Sequence, residues 1–260
     1  MPFTISHVAA VLPFCRPLTR WGLLSATIIG SMVPDFGFLM PWRPARIETH
    51  SVVGLVTFCL PVGLTTFWIF QLLVKTAVME TLPDAAYGRW REFAKPADIG
   101  HMRQWLLAAI GVLAGAVTHL IWDAFTHEGA RGVRMFPALD DPIVEIAGRQ
   151  LMGARLLQDV SSLIGFALVL IVIAYALRPS GDRNAEPARM LSAAERSAWT
   201  MGFLIMAVIL AVWLFSAHRV VYGPSLGFLI AGYAIAALRG VAGSLLLVSL
   251  AVTFRLSADR

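Results

Sequence analysis

The sequence has little charge and almost no cysteine. Only 14% of its 260 residues are Asp, Glu, Lys or Arg, against 58% hydrophobic residues, and the mean hydropathy is +0.72. That balance excludes an ordinary soluble domain, in which roughly a quarter of residues are charged. The two cysteines, Cys15 and Cys59, have neither metal-type spacing nor the pattern of a disulfide framework, so both are read as small apolar residues. A basic stripe is missing too. The 21 Lys and Arg exceed the 16 Asp and Glu, but they are scattered through short loops beside apolar runs. That pattern suits anionic lipid headgroups and gives no reason to expect a nucleic-acid partner. No internal repeat is visible. The opening MPFTISHVAAVLPFCRPLTRW lacks the succession of basic region, apolar core and small-residue cleavage site that marks a signal peptide, so it is expected to be retained.

What the sequence does have is long apolar runs. Crossing a hydrocarbon core of about 30 Å takes about 20 helical residues. Five stretches meet or approach that length: 51–74, expected to bend at Pro61; 105–126; 160–177, which Leu156 and Leu157 extend; 199–217, with Trp199 and Trp213 as interface anchors; and 226–254, which carries Arg239 in mid-span. The first fifty residues differ. Segments 5–12 and 21–33 are too short to cross and are punctuated by Pro13, Pro17, Pro34 and Pro41, so they read as re-entrant or interfacial helices. The expected fold is therefore all-α, a polytopic membrane helix bundle of one integral membrane domain, 1–260. Within it, 1–50 forms short helices packing on the bundle, 51–177 the first three spans and 199–254 the last two. The polar segment 178–198 is the natural place for a flexible connection. Loops 75–104 and 178–198 with the C-terminal tail hold eleven Lys or Arg against nine in the N-terminal region and the other loops, a margin that barely favours the first set as cytoplasmic.

One of the apolar runs carries metal-type ligands. In GAVTHLIWDAFTHEG, residues 115–129, His119, Asp123 and His127 recur every four residues and drift only about 40° per step around a helix, so they share a face. Each is expensive in lipid and requires a partner. Their backbone positions span about 12 Å, long for three ligands on one ion, so two ions flanking Asp123 or a site using two of the three are both open. His50 precedes the first span and His127 follows the second, so both lie at one membrane face. His7 and Asp35, in segments too short to cross, reach that face as well. Six residues, His7, Asp35, His50, His119, Asp123 and His127, are thus expected to converge. Imidazoles and carboxylates without thiolate suit a divalent metal, zinc first and manganese or iron(II) next, as one or two ions. Glu48 and Glu128 flank ligands and are candidate general bases, whereas His101 and His218 stand without companions and are left out.

MPFTISHVAAVLP at the start, GSMVPDF at 30–36, THS at 49–51, GAVTHLIWDAFTHEG and LLQDVSSLIG at 156–165 together resemble the uncharacterised bacterial membrane proteins grouped as domain of unknown function 4184. The resemblance spans most of the chain and is strongest over the first 165 residues. It implies an integral protein of the bacterial inner (plasma) membrane. More loosely, the order of His, Pro-Asp, His-Ser and His-x3-Asp resembles the membrane-bound metal-dependent hydrolases. That resemblance implies a metal shell of His7, Asp35, His50, His119 and Asp123, with His127 added. Gln158, Ser161 and Ser162 are weaker matches, as donors to a ligand or substrate or as glue between helices. The function expected is a membrane-embedded metal-dependent hydrolase acting on a lipid or lipid-linked ester or phosphodiester, with membrane lipids as its surroundings. The alternatives are a transporter or proton- or metal-conducting protein, and a non-catalytic membrane scaffold. Oligomeric state is left unspecified by these patterns.

Overall fold

The computed structural model describes residues 4–40, 42, 44–83, 86–87, 90, 100–146, 149–178, 189–218 and 226–258. Among the described residues, five helices are long and apolar enough to cross a membrane, over Val52–Thr81, Met102–Thr126, Gly153–Ala176, Ala193–Ser216 and Gly232–Ser257. The polarity of the structure is inverted relative to a water-soluble protein. Large apolar side chains such as Val52, Val56, Leu163, Ile171, Val208 and Ile209 are exposed, while Thr27, Ser31, Asp35, His119 and Asp123 are buried. An apolar surface this extensive is stable only against hydrocarbon, where the hydrophobic effect no longer favours hiding it. Within the connection expected at 178–198, residues 179–188 lie outside the described residues and the last six are already helical; Pro41 and most of the loop before residue 100 also lie outside the described residues.

The chain forms two compact units, one of residues 1–67 with 98–173, the other of 68–97 with 174–260. In the first unit, α1 (Leu24–Met32) packs against α3 (Met102–Thr126), following the long helix α2 (Val52–Thr81) in the sequence. Small residues on both faces allow it. A Cβ at Gly30 would run into the Val112 carbonyl, one at Gly115 into the Thr27 carbonyl, and one at Gly111 would lie 2.7 Å from Ala26 Cβ. With Ala26 and Gly30 on one helix and Gly111 and Gly115 on the other, both surfaces repeat a small residue every four positions. That spacing lets backbones touch in a membrane, where dispersion replaces the hydrophobic effect as the driving force.

Helix α2 runs seven residues past the stretch 51–74 expected from hydropathy. Lys75, which ends the apolar run, stays helical and buried because its Nζ donates to Gln71 Oε1 at 2.9 Å, one turn back. The helix stops at Leu82, whose extended ψ of 145° is the conformation Pro83 imposes on its predecessor. The disturbance at Pro61 takes a definite form: a π-helical turn over Leu55–Cys59, closed by the Leu60 N–H on the Leu55 carbonyl. Widening the turn accommodates the ring and the missing N–H of Pro61 within a continuous helix. Helix α4 (Gly153–Ala176) begins earlier than residue 160, taking in Leu156 and Leu157. The seven-residue 3-10 helix Thr4–Ala10 lies on it, with a Cβ at Gly165 falling 2.9 Å from the Ser6 carbonyl. The all-helical expectation misses one local feature between α3 and α4, an antiparallel hairpin of β1 (Pro142–Ile146) and β2 (Arg149–Met152).

In the second unit, α5 (Ala193–His218) and α6 (Leu226–Ser257) approach closely at Gly240, where a Cβ would lie 2.7 Å from the Ala207 carbonyl and the Ala211 nitrogen. Ser192 and Glu195 cap α5 reciprocally, and Glu195 also accepts from Arg255 at 3.1 Å. Trp213 is exposed as an interface anchor would be, but Trp199 packs against the core of Ala77, Leu191, Val252 and Leu256.

The α1–α3 contact leads to a paired prediction. Gly115→Leu forces two backbones apart and should cost at least about 3 kcal/mol. Gly202→Leu, whose Cβ would meet nothing within 4 Å, should leave stability unchanged or raise it by up to about 1 kcal/mol through helix propensity. Thermal unfolding of both variants in detergent decides it.

Candidate metal centre

The backbone approach of α1 to α3 brings His119 under Ser31. Pro34, three residues after Ser31, has no N–H to offer the Ser31 carbonyl. That oxygen instead accepts from His119 Nδ1 at 2.8 Å. Because a carbonyl can only accept, Nδ1 carries the proton, and in the neutral ring Nε2 presents a lone pair. His119 is completely buried, yet its Nε2 has no hydrogen-bond partner.

The other five residues surround that nitrogen. His7 projects from the Thr4–Ala10 helix and stacks on His119, with ring centroids 3.6 Å apart and planes 13° from parallel. His50 ends the short helix Arg46–Thr49, and its Nδ1 lies 2.6 Å from Thr49 Oγ1. Asp35 sits in the 3-10 helix Val33–Phe38 that continues α1, and its Oδ2 accepts from Thr4 Oγ1 at 2.8 Å. Asp123 projects from α3 one turn after His119 and accepts from Arg46 Nη2 at 2.7 Å through Oδ2. His127 follows the end of α3, where the backbone turns extended at φ −113° and ψ 130°. It therefore leaves the helical face that its spacing from Asp123 assigned it. Its Nδ1 lies 3.5 Å from Asp123 Oδ1, at the edge of the cluster.

The separations say what kind of contact this is. His7 Nε2 is 3.7 Å from Asp123 Oδ1, and His50 Nε2 is 3.4 Å from Asp35 Oδ1 and 3.5 Å from Asp123 Oδ2. His119 Nε2 is 3.8 Å from Asp35 Oδ1 and 3.6 Å from Asp123 Oδ2. All of these exceed a good charge-assisted hydrogen bond of about 2.8 Å, yet they lie close to the edge of a coordination tetrahedron, roughly 3.4 Å for ligands about 2.1 Å from an ion. Ligand atoms of His7, His119 and Asp123 lie within 4.8 Å of one another, as do those of Asp35, His50 and His119. The Nε2 atoms of His7, His50 and His119 and Oδ1 of Asp123 are all buried without a hydrogen-bond partner. Four such atoms facing one another are costly unless a cation satisfies them. The residues present thus fit a divalent ion bound by imidazole nitrogens and carboxylate oxygens.

Protonation agrees with that fit. Burial, followed by the neighbouring His119, pulls the pKa of His7 down to about 4, so its imidazole is neutral near pH 7, as a ligand must be. Burial alone would raise the pKa of Asp35, but His50, His119 and His7 beside it outweigh that and hold its carboxyl below the usual range. Burial also lowers the pKa of His127.

The structure brings together all six residues singled out by type and spacing, five of them within the two ligand groups and His127 beside Asp123. At Gln158, Ser161 and Ser162, the Ser162 carbonyl accepts from Ser6 Oγ at 2.7 Å, next to His7, and Ser161 Oγ donates to the Gln158 carbonyl and accepts from Trp122, while Ser162 Oγ is buried without a hydrogen-bond partner. Glu48 accepts from the Ala45 N–H at the start of the Arg46–Thr49 helix, and Glu128 is exposed beyond α3. Sequence reasoning missed Arg46, Thr4 and the Ser31 carbonyl. Arg46 stands four residues before His50 and Thr4 three before His7, spacings visible once those histidines are taken as ligands. A backbone carbonyl has no signature in sequence.

A family model described as "Domain of unknown function (DUF4184)" matches residues 1–252. No curated protein and no solved structure matches the chain.

Two outcomes are expected. Zinc or manganese at about 100 times its dissociation constant should stabilise the metal-stripped protein by about 2.7 kcal/mol, and His119→Ala should abolish that gain, as read by thermal shift and elemental analysis. In chelator, His7 stays uncharged in the folded chain down to about pH 4, whereas the unfolded chain takes up the proton near 6.5. Its contribution to stability is therefore lost as pH falls through that interval, while that of Asp35 is lost only below the ordinary carboxylate range. Unfolding temperature should drop more between about pH 7 and about pH 5 in the parent than in His7→Phe.

Proposed function

This chain belongs to the DUF4184 family, and we propose that it is a metal-dependent hydrolase of the bacterial inner membrane, acting on a lipid or lipid-linked ester or phosphodiester. The observation that carries the reading is the set of four buried, unpartnered ligand atoms on His7, His50, His119 and Asp123, facing one another with Asp35 beside them. A divalent ion held there, zinc or alternatively manganese or iron(II), would supply Lewis-acid activation of water and of an ester or phosphoryl oxygen.

The protein's own groups have distinct tasks in this reading. His7, His50 and His119 donate nitrogens, and Asp35 and Asp123 donate oxygens. The Ser31 carbonyl, the Thr49 hydroxyl and the Thr4 hydroxyl hold His119, His50 and Asp35 in orientation. His127, uncharged near neutral pH and outside both ligand groups, is the candidate to take up a proton. Side-chain exposure rises from 0% at His119 through 22% at His127 to 51% at Arg46, which supports access from the Arg46 side. His50 precedes one long apolar helix by two residues and Asp123 lies within a turn of the end of another. That depth suits a substrate with an apolar tail and a polar head, entering sideways between helices.

A scaffold role would need only separate hydrogen-bonded pairs, and would leave no reason for unpartnered atoms to face one another. Transport would be better served by ligands midway along the helices and by repeated halves.

The test is a panel of ester and phosphodiester lipids, with bound metal measured in the same preparations. Asp123→Ala should lower turnover by at least about a hundredfold and reduce bound metal. Equal turnover by parent and variant on every lipid would overturn the hydrolase reading.

A further inference from the structure

We infer that the substrate of this site carries a phosphate, and that Arg46 is the residue that recognises it; this rests on the hydrolase reading and narrows its substrate class. The first observation is how Asp123 divides its oxygens. Oδ1 is buried without a hydrogen bond beside His7 and His127, while Oδ2, 3.5 and 3.6 Å from the Nε2 atoms of His50 and His119, accepts the 2.7 Å bond from Arg46 Nη2 on its other side. Arg46 thus stands one carboxylate away from the ligand atoms without displacing any of them. A guanidinium has five N–H donors. One is given to Asp123, and 51% of the side chain is exposed. The group is therefore anchored at its inner edge and presented at its outer one, next to the place where a reacting oxygen would be activated.

The second observation is charge. An imidazole that ligates a metal does so in its neutral form, so with His7, His50 and His119 as ligands the charges to balance are the two of Asp35 and Asp123, which a divalent ion cancels. Arg46 then leaves the loaded site with one net positive charge. A phosphodiester brings the single negative charge that neutralises it, and its two non-bridging oxygens match the spacing of a guanidinium fork. A carboxyl ester is neutral and offers the exposed edge of Arg46 no pair of anionic oxygens to engage. In the hydrolysis, the oxygen of water forms a new bond to phosphorus, the bond from phosphorus to the ester oxygen breaks, and the leaving alkoxide departs with one proton of that water.

The experiment uses the full chain in detergent, loaded with metal and checked by elemental analysis. Binding of inorganic phosphate is measured by calorimetry, and turnover is compared on bis(4-nitrophenyl) phosphate and 4-nitrophenyl butyrate. Arg46→Gln should weaken phosphate binding by about tenfold or more and raise KM for the phosphodiester to a similar extent. Parent and variant are compared at saturating metal, because Arg46 also supports Asp123, and the loss should then fall on KM more than on kcat. Arg46→Lys, which keeps the charge but not the fork, should recover part of the affinity. If metal-loaded Arg46→Gln, unfolding at the same temperature as the parent, binds phosphate equally well, the role of Arg46 is overturned while the hydrolase reading stands. Turnover of the butyrate ester with none of the phosphodiester would overturn the substrate class alone. A parent protein that takes up no metal would overturn both.

Discussion

The close approach of α1 to α3 is the constraint on which the rest of the first unit depends. Gly30, Gly111, Gly115 and Ala26 let the two backbones touch, and Ser31, next to Gly30, then lies beside His119. Any larger residue at these positions would move α1 outward, remove the carbonyl from His119 Nδ1, and carry Asp35 away on the same segment. The contact therefore both packs the helices and sets the tautomer of the histidine at the centre of the cluster. In hydrocarbon, where no water can substitute for a lost partner, this coupling of packing and hydrogen bonding is especially strict.

A consistent division of labour runs through the cluster. His119 uses Nδ1 on a carbonyl, His50 uses Nδ1 on a threonine hydroxyl, Asp35 uses Oδ2 on another threonine hydroxyl, and Asp123 uses Oδ2 on an arginine. The Nε2 atoms of His50 and His119 are left without a hydrogen bond beside Asp35 Oδ1 and Asp123 Oδ2, and Asp123 Oδ1 is left without one beside His7 and His127. A set of polar residues that merely locked helices would satisfy itself internally, since each unpaired buried atom costs on the order of 1–3 kcal/mol. The same arrangement of outer support and inner vacancy of bonding is what holds ligands ready for a cation.

Much of this was legible in the sequence. The five long helices follow from apolar run length, and the ligand types from their rarity in apolar surroundings, which is why His7, Asp35, His50, His119, Asp123 and His127 could be picked out. Boundaries were less legible. Lys75 continues a helix that hydropathy ends, because a buried glutamine one turn back accepts from it, and the π turn before Pro61 is a backbone adjustment with no residue code. His127 left its helical face because the helix ended one residue earlier. Arg46 went unread because an arginine in a short polar segment has the appearance of a solvated residue until its partner, 77 positions later, is known.

By itself, the sequence determined that the chain is a predominantly helical membrane protein carrying an unusual set of imidazoles and carboxylates toward one end of its spans. Periodicity and hydropathy are local properties, readable within a window of a few turns. Span topology already brings residues 7, 35, 50, 119 and 123 to one membrane face; only the tertiary structure decided how closely their ligand atoms approach, which atom of each turns inward, and that Arg46 stands at the edge. Those facts depend on how closely two backbones approach and which hydrogen bonds orient each ring, and such distances arise between segments far apart in the chain, where local pattern carries no information.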